Sequence, residues 1–164
     1  MVTIRDAEPG DEVAIADVHA ASVRGLAVDD YDDEQIASWS DSEPDDFSLP
    51  AEGVCVVVAA EVGADDRGAG AGVTIEGFGA VDLESGEVRA VYVHPDHAGA
   101  GVGSAILGEL EDRARAEGLT DLHLTASLNA VPFYERHGWT STGPTEYEVG
   151  DGVELEAVEM EKSP

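Results

Sequence analysis

Hydrophobic and polar positions follow different periods along the chain, and each change of period predicts a new element. Residues 2–5, VTIR, alternate apolar and polar positions, which predicts a short strand. Ile15, Val18 and Ser22 then recur at helical spacing, which predicts a helix that begins near Asp11 after a Pro-Gly turn. The chain is therefore predicted to open with a strand and an amphipathic helix.

A capping signal predicts the second helix. Asp32 and Gln35 have the spacing of a capping box, in which each side chain accepts a hydrogen bond from the other residue's backbone N–H. Trp39 follows at the end of this segment. Two helices are thus expected before the first long apolar run.

Strand signals dominate the middle of the chain. β-Branched residues fill 53–62, and two further strands are predicted at 77–83 and 87–93, the last of them stopped by Pro95. The polar, glycine-rich segment 63–72 predicts a hairpin tip between the first two of these strands.

The remaining elements alternate before a closing hairpin. Ile106, Leu110 and Ala114 share one helix face, and Gly118 is its predicted C-cap. A strand, a short helix and the hairpin are then predicted at 121–127, 129–138 and 139–161, with the hairpin turn near 150–152. This order predicts an α+β, or mixed α/β, fold in a single domain over residues 1–164, with antiparallel meanders at both ends and one parallel crossover.

The charge of the chain changes the picture in one respect. The 164 residues include 36 Asp and Glu against 8 Lys and Arg, a net charge of −28, while 43% of the residues are hydrophobic. This hydrophobic fraction indicates a folded chain. We interpret the acidity as adaptation to a salt-rich (halophilic) cytoplasm, since at molar salt a Debye length of about 3 Å screens self-repulsion. An acidic patch for cationic partners is the alternative.

The same features limit the partners and the compartment. Nucleic acid and anionic membranes bind through clustered Lys and Arg, which this chain lacks, so neither partner is expected. Charges throughout the N-terminal segment, and the lack of an apolar run of about 20 residues, predict a cytoplasmic protein without a signal peptide or membrane span. Cys55 is the single cysteine and is expected to be an inert buried thiol.

The histidines are interpreted as structural. His94 and His97 flank a Pro-Asp pair as turn residues, and without further ligands at suitable spacing no metal site is expected. His137 precedes Gly138 and is interpreted as a residue at a helix C-terminus, where the helix dipole favours it.

The stretch HPDHAGAGVGSAI places glycine at 99, 101 and 103 between a strand and a helix. Backbone N–H groups and the positive helix end converge at such a junction, which favours an anion such as phosphate. A Walker A loop is excluded because no Lys follows Gly103, and a Rossmann loop is disfavoured by Ser104 and by the lack of an acidic residue after the next strand. A glycine turn without a ligand is the remaining alternative.

Three segments in this order resemble the GNAT superfamily of N-acetyltransferases. The pyrophosphate loop of that family, Gln or Arg, two residues, Gly, one residue, Gly or Ala, falls on AGAGVG at 98–103. VRAVYVHPDH before it is similar to the family's fourth strand, and LTASLNAVPFYERHGW to its second acyl-CoA motif. The resemblance covers essentially the whole chain and implies a GNAT-like acyl-CoA N-acyltransferase fold, with a central, mostly antiparallel sheet of about seven strands and about four helices.

The resemblance also implies the reaction. An acetyl group would move from acetyl-CoA to a primary amine of a small molecule or peptide, by direct attack in a ternary complex and without a metal. The pantetheine arm would lie between strand 87–93 and the strand ending near Ser127, pairing with backbone like an added strand. A non-catalytic acyl-CoA-binding module on the same fold is the alternative.

Individual chemical roles follow from the same resemblance. An alkylamine has a pKa near 10.4 and so needs a base; Glu87 stands where similar enzymes often carry one, with an ordinary surface acid as the alternative. Tyr134 stands where the resemblance puts the general acid for the leaving thiolate, with a core tyrosine as the alternative. A backbone N–H around Tyr92 and Val93, at a bulge, would meet the oxyanion.

Contacts to acetyl-CoA are implied to come mostly from backbone. The pyrophosphate is expected over the N–H groups of Gly99, Ala100, Gly101, Val102, Gly103 and Ser104. Ala98 departs from the family pattern, since Gln or Arg is usual at its position, and Ala100 is likewise uncharged. Asn129 is expected to cap the following helix and to bond the pantetheine arm. Arg136 is expected to assist a phosphate or, alternatively, to pair with a carboxylate.

Acceptor specificity is implied to come from the first two helices, the loop between them and the closing hairpin. Tyr31, Trp39 and Tyr147 would then lie near the amine, together with the acids of the stretch DDYDD. For Trp39, a packing role is the alternative. A monomer and a homodimer paired through the closing hairpin both stay open.

Overall fold

The first half of the chain forms a four-stranded antiparallel sheet whose strands follow sequence order. The computed structural model describes residues 2–41, 53–62, 73–99, 101–150 and 152–163. The strands are β1 (Val2–Asp6), β2 (Val54–Val62), β3 (Val73–Asp82) and β4 (Val88–Val93). The strand predicted at 77–83 begins earlier, at Val73, because pairing with β2 continues beyond a bulge at Ala59 and Ala60. The hairpin tip predicted at 63–72 lies outside the described residues.

The second half of the chain adds a three-stranded antiparallel sheet. It contains β5 (Leu122–Ser127), β6 (Thr140–Gly150) and β7 (Val153–Lys162) in the order β5-β7-β6. β6 and β7 are the predicted closing hairpin, with Gly152 in its turn at a φ of +79°. The fold class is therefore confirmed: the described residues form seven strands, mostly antiparallel, and four α-helices.

The predicted single sheet is divided between β4 and β5. Among the described residues, these two strands are joined by one parallel bridge, between Glu87 and His123. The two strands that this bridge joins, with the helix between them in the chain, form the predicted parallel crossover. Beyond it the strands diverge, and side chains from both strands and from the helix after β5 line the space between them. The division creates the cleft described below.

Helices cover both faces of the first sheet. The helices are α1 (Glu12–Leu26), α2 (Asp33–Ser40), α3 (Val102–Ala116) and α4 (Val131–Arg136), and a short 3₁₀ turn spans Pro95–His97. Ile15, Val18 and Ser22 are buried on α1, as their spacing predicts. The predicted capping box is confirmed, because Asp32 Oδ1 accepts from the N–H of Gln35 at 2.8 Å and Gln35 Oε1 accepts from the N–H of Asp32 at 3.0 Å.

Glycines on β3 bring α3 close to the sheet. A Cβ at Gly77 would lie 2.9 Å from Ile106 Cδ1, and one at Gly79 would lie 2.5 Å from Ile106 Cγ2. Neither distance leaves room for a side chain, so both positions need glycine for packing. Ile106, Leu110 and the other predicted apolar positions of α3 are consequently fully buried, and they fix where this helix begins relative to β4.

Cys55 lies beside an arginine that is occupied by other partners. Arg113 Nη1 lies 3.5 Å from Cys55 Sγ, but this arginine is already paired with Asp6 and Glu109. Burial raises the pKa of the Cys55 thiol, which agrees with an inert side chain.

In the part of the chain that the structure describes, no helix combines the length and hydrophobicity that a membrane crossing requires.

Candidate active site

The cleft between β4 and β5 opens into two cavities that share one wall. The smaller has a volume of about 300 Å³ and the larger about 530 Å³. Residues that line both are Trp39, Val91, Tyr92, Ser127, Ala130 and Tyr134. The smaller cavity also contacts Glu87, Arg89 and Tyr147, whereas the larger is bounded by the glycine loop. Tyr92 and Tyr134 therefore lie where the two spaces meet.

The glycine loop owes its residues to two different constraints. Gly99 and Gly101 have φ values of +82° and +85°, a left-handed conformation that other residues adopt only with strain. A Cβ at Gly103 would instead lie 3.2 Å from the ring of Phe133 and 3.4 Å from Val93, so this glycine allows closer packing than a larger residue would. Ala98 is exposed and also lines the larger cavity. Ala100 lies outside the described residues.

The start of α3 presents backbone donors to the larger cavity. Gly101 is the N-cap residue and supplies no side-chain cap, and the first helical hydrogen bond runs from the N–H of Ala105 to the carbonyl of Gly101. The N–H groups of Val102, Gly103 and Ser104 therefore have no acceptor within the helix. Together with the positive end of the helix dipole, they form a surface that favours an anion.

Arg136 adds a positive charge beside this surface. It lines the larger cavity and, among the described residues, forms no ion pair with a carboxylate. Basic residues that are paired with acids are Arg5, Arg89, Arg113, Arg115 and Lys162. In a chain with 36 acidic and 8 basic residues, a cation left without a carboxylate partner at a cavity wall favours an anionic ligand.

Asn129 does not cap α4 as its position in the sequence predicts. The N-cap residue is Ala130, and no side chain bonds the first turn, because the turn after β5 extends one residue further than the sequence indicates. The Asn129 side chain lines the larger cavity. Its Oδ1 atom is buried and accepts no hydrogen bond from the described residues. A buried acceptor without a donor is costly, so an N–H group from a ligand, such as an amide of pantetheine, fits this position.

On β4, backbone N–H groups face the cleft, but the bulge does not lie where it was predicted. The carbonyls of Tyr92 and Ala90 face β3, where they approach Gly77 and Gly79, so by alternation the N–H groups of Val91 and Val93 face the cleft. The register shift lies between Ala80 and Val81, opposite Arg89, and not at Tyr92 and Val93. The predicted bulge position was therefore wrong, because sequence alone does not fix where two strands gain an extra residue.

Tyr134 is buried, with its ring packed edge-on against Phe133 and Trp139 at centroid distances of 5.2 and 5.9 Å. Within the described residues its hydroxyl has no hydrogen-bond partner, and the residue lines both cavities. Burial, and to a smaller extent the neighbouring Tyr92, raise the pKa of this phenol. The phenol consequently keeps its proton and stays neutral at physiological pH.

Glu87 lies at the entrance to β4 and is paired with a basic neighbour. Arg89 Nε is 3.4 Å from Glu87 Oε1, and Arg89 Nη2 is 2.9 Å from Asp82 Oδ2. The backbone N–H groups of Glu84 and Ser85 hold the pKa of Asp82 below its usual range, which keeps this second partner of Arg89 charged. The smaller cavity thus has a carboxylate on its wall whose charge is partly balanced.

Of the three residues predicted to contact the acceptor, two line the smaller cavity and one does not. Tyr31 lines neither of the two cavities: its hydroxyl donates to the carbonyl of Glu156 at 2.6 Å and accepts from the N–H of Leu128 at 2.8 Å. Tyr31 therefore holds the turn after β5 in place. Trp39 is buried and lines both cavities, while Tyr147 is 52% exposed on the wall of the smaller one.

A contact between α3 and α4 is not indicated by the sequence analysis. His137 Nε2 lies 2.8 Å from Ser104 Oγ, and His137 Nδ1 lies 2.8 Å from the carbonyl of Phe133. The histidine and serine are far apart in the chain, so no local spacing links them.

His94 and His97 occupy the predicted turn, with His97 Nδ1 3.4 Å from the buried Glu76. Among the described residues, no cluster of three or more potential ligands is arranged to hold a metal.

The α+β fold and the loop of backbone donors at the mouth of the divided sheet fit the class of acyl-group transferases that the sequence motifs resemble. The acetyltransferase (GNAT) domain model matches residues 27–164, and the chain belongs to this family of acyltransferases. The resemblance inferred from the sequence motifs is thereby confirmed.

Individual relatives agree with this assignment. The IAA acetyltransferase of Azospirillum brasilense is 32% identical over 78 residues, covering 43% of this chain and 51% of that protein. The N-acetyltransferase YjcF of Bacillus subtilis is 36% identical over 62 residues, covering 38% of this chain and 44% of that protein. The chain thus spans about half the length of the curated relatives it matches.

Solved structures match over the full length. The GCN5-related N-acetyltransferase from Rhodopseudomonas palustris has a TM-score of 0.85 at 26% identity and covers 100% of this chain and 96% of that one. YncA from Salmonella typhimurium, solved with its cofactor acetyl-CoA, has a TM-score of 0.66 at 26% identity and covers 99% and 93%. PaiA from Thermoplasma acidophilum, solved with coenzyme A, has a TM-score of 0.70 at 21% identity, covers 100% and 99%, and supports the fold alone.

Proposed function

We propose that this chain is a single-domain N-acetyltransferase over residues 1–164 that transfers an acetyl group from acetyl-CoA to a primary amine of a small molecule or peptide. The observation that carries the proposal is the pair of cavities that meet at Tyr92 and Tyr134. One cavity offers donors and a cation for a phosphate, and the other offers a carboxylate and aromatic walls. Two ligands could therefore meet at one point, as direct attack in a ternary complex requires.

The residues around the larger cavity fit acetyl-CoA. The N–H groups at the start of α3 and the guanidinium of Arg136 would hold the pyrophosphate, which compensates for the missing Gln or Arg at Ala98. Asn129 Oδ1 and the N–H groups of Val91 and Val93 would bond the pantetheine arm and the acyl oxygen. When bound, acetyl-CoA supplies an activated thioester.

The residues around the smaller cavity fit the acceptor. Glu87 would receive the proton of the attacking amine through water, and Tyr134 would donate a proton to the leaving sulfur. Trp39 and Tyr147 would contact the body of the acceptor, because aromatic faces attract cationic amines. Tyr31 would act indirectly, by holding the turn that carries Asn129. We further propose a cytoplasmic location, on the basis of the charge pattern.

Measurements of acetyl-CoA binding and of amine-dependent turnover distinguish an enzyme from a non-catalytic binding module. Acetyl-CoA in molar KCl is expected to raise the unfolding temperature, and a panel of polyamines, aminoglycosides, amino acids and peptides is expected to contain an amine that accelerates thiol release. Protection without amine-dependent thiol release would favour a binding module. Absence of both would refute the proposed function.

A matched pair of arginine variants tests the location of the phosphate site. Arg136→Gln is expected to weaken acetyl-CoA binding about tenfold, because it removes a charge-assisted contact to phosphate. Arg115→Gln removes an exposed arginine that pairs only locally, with Asp112 at 2.9 Å on the same helix, and should leave the affinity unchanged. Equal effects of the two substitutions would indicate a general loss of positive charge instead of a contact.

A further inference from the structure

The hydrogen bond between His137 and Ser104 has a defined proton position. His137 Nδ1 lies 2.8 Å from the carbonyl oxygen of Phe133, and since a carbonyl only accepts, Nδ1 carries the hydrogen. In a neutral imidazole, Nε2 then has no hydrogen and must accept from the Ser104 hydroxyl, 2.8 Å away. The one hydroxyl hydrogen of Ser104 therefore points toward His137.

This proton position conflicts with anion binding at the same serine. Ser104 lies in the first turn of α3 and lines the larger cavity, so its Oγ is placed beside the anion-binding N–H groups. While its hydrogen is directed to His137, Oγ can present only lone pairs to a phosphate oxygen. A protonated imidazole reverses the bond: Nε2 then donates to Oγ, and the Ser104 hydrogen becomes available to the cavity.

The charged groups nearest His137 contact its backbone and not its ring. From β7, Lys162 Nζ donates to the backbone carbonyl of His137 at 2.7 Å, and Glu111 on α3 balances that ammonium at 2.8 Å. Its neighbours on α4, Glu135 and Arg136, are exposed. Among the described residues, no carboxylate is paired with the imidazole.

We propose that His137 is a positioning residue for the phosphate site, which takes up a proton when a pyrophosphate binds so that Ser104 can donate to it. The inference rests on the proposed function, since it assumes acetyl-CoA as the ligand of the larger cavity. It gives the site a second cation, in addition to Arg136, in a loop that lacks the family's usual Gln or Arg at position 98. Because one proton is linked to binding, affinity should fall as pH rises, by at most about tenfold per pH unit.

Calorimetry of acetyl-CoA binding tests this linkage. Titrations at about pH 6, 7 and 8, in buffers of different ionisation enthalpy, report the number of protons taken up. Acetyl-dephospho-CoA serves as a second ligand, since it lacks the 3′-phosphate, a group whose own second ionisation lies near pH 6. We expect proton uptake with both ligands and a Kd that rises about 5- to 20-fold between pH 6 and pH 8.

Two variants and a matched histidine control decide the outcome. His137→Gln keeps a polar side chain but cannot titrate, so proton uptake should disappear and the Kd should become nearly independent of pH. His123→Gln removes an exposed histidine from β5 and should leave the uptake unchanged. Ser104→Ala removes the hydroxyl that couples the ring to the ligand, and it should reduce the uptake even if the His137 variant fails to fold.

The inference and the proposed function fail in different ways. Acetyl-CoA that binds the wild-type chain without proton uptake, or with the same uptake in His137→Gln, would overturn the role of His137 alone. Acetyl-CoA that binds at no pH would overturn the proposed function itself.

Discussion

Two side chains, one where the cavities meet and one on the wall of the smaller cavity, would carry protons in the proposed reaction. Tyr134 is buried, keeps its proton at physiological pH and lines both cavities, whereas Glu87 is a carboxylate on the wall of the smaller cavity with a basic neighbour at 3.4 Å. One is suited to donate a proton and the other to receive one. Each role can be tested by a substitution that keeps the shape of the side chain.

Tyr134→Phe should affect turnover without affecting stability. The substitution removes a hydroxyl that has no partner in the described part of the chain, while the ring contacts to Phe133 and Trp139 are kept. We expect kcat to fall about 100-fold, a usual contribution of a general acid, with an unchanged Kd for acetyl-CoA. Tyr147→Phe, at the exposed side of the cavity, is the matched control for loss of a phenol. Unchanged turnover in Tyr134→Phe would remove this residue from the mechanism.

Glu87→Gln should lower kcat/KM for the amine about 100-fold near neutral pH, because the amide cannot receive a proton. Acetyl-CoA binding should not change, since Glu87 lines the other cavity, and Arg89 keeps Asp82 as a partner at 2.9 Å. Steady-state rates over a range of pH measure the effect. The control is Glu84→Gln, an exposed acid in the same turn; similar losses in both variants would identify Glu87 as an ordinary surface acid.

At the scale of elements, the two interior glycines of α3 provide a matched comparison. A Cβ added at Gly108 would have no atom within 4 Å, whereas one at Gly103 would lie 3.2 Å from the Phe133 ring and 3.4 Å from Val93. Gly108→Ala should therefore stabilise the chain by about 1 kcal/mol, the usual helix gain. Gly103→Ala should gain less, because the Phe133 ring or Val93 must shift by a few tenths of an ångström to admit the Cβ. Urea unfolding measures both, and equal gains would show that Gly103 is not needed for packing.

The elements also show what the sequence can and cannot predict. Periodicity and capping chemistry are local, so the buried face of α1, the Asp32 capping box and the closing hairpin are predicted correctly. The early start of β3, the bulge opposite Arg89 and the division between β4 and β5 depend on pairing between distant segments. Local patterns carry no information about such pairing.

The candidate site divides in the same way. The loop 98–103 and Tyr134 could be found from motifs, because their spacing is short and fixed by the ligand that the resemblance implies. Asn129 was found for the wrong structural reason, since it leaves a buried oxygen unpaired and does not cap α4. His137 and Lys162 were missed as site-supporting residues: their partners, Ser104 and Glu111, come from another helix.

At the scale of the whole molecule, part of the acidic charge behind the net value of −28 lies in opposing positions of one hairpin. On the β6–β7 hairpin, Glu146 lies opposite Glu156 and Glu148 opposite Glu154. Like charges in opposing positions destabilise a sheet, and the carboxylates of Glu146 and Glu148 accordingly raise the pKa of Glu154. This exposed ladder is where salt should matter most.

The raised pKa of Glu154 fixes the sign of a pH dependence. Its charged form is disfavoured in the folded state, so the repulsion acts above the folded pKa and is relieved as pH falls through it. Asp11 and Asp82 act in the opposite sense: hydrogen bonds, with Arg5 first for Asp11 and with backbone N–H groups first for Asp82, lower their pKa values, so their stabilisation is lost only at more acidic pH. Between about pH 7 and pH 5, relief of repulsion should therefore dominate.

We therefore expect the unfolding temperature at low salt to rise as pH is lowered from about 7 to about 5, and this rise to vanish in molar KCl, where screening has already removed the repulsion. Glu154→Gln should raise the unfolding temperature at pH 7 in low salt and flatten the pH dependence. Glu161→Gln is the matched control on the same strand, because Glu161 lies opposite Thr140 and His123 and faces no acid across the sheet. If both variants respond alike, the acidity acts through the total charge of the molecule, with no contribution from the placement of individual carboxylates.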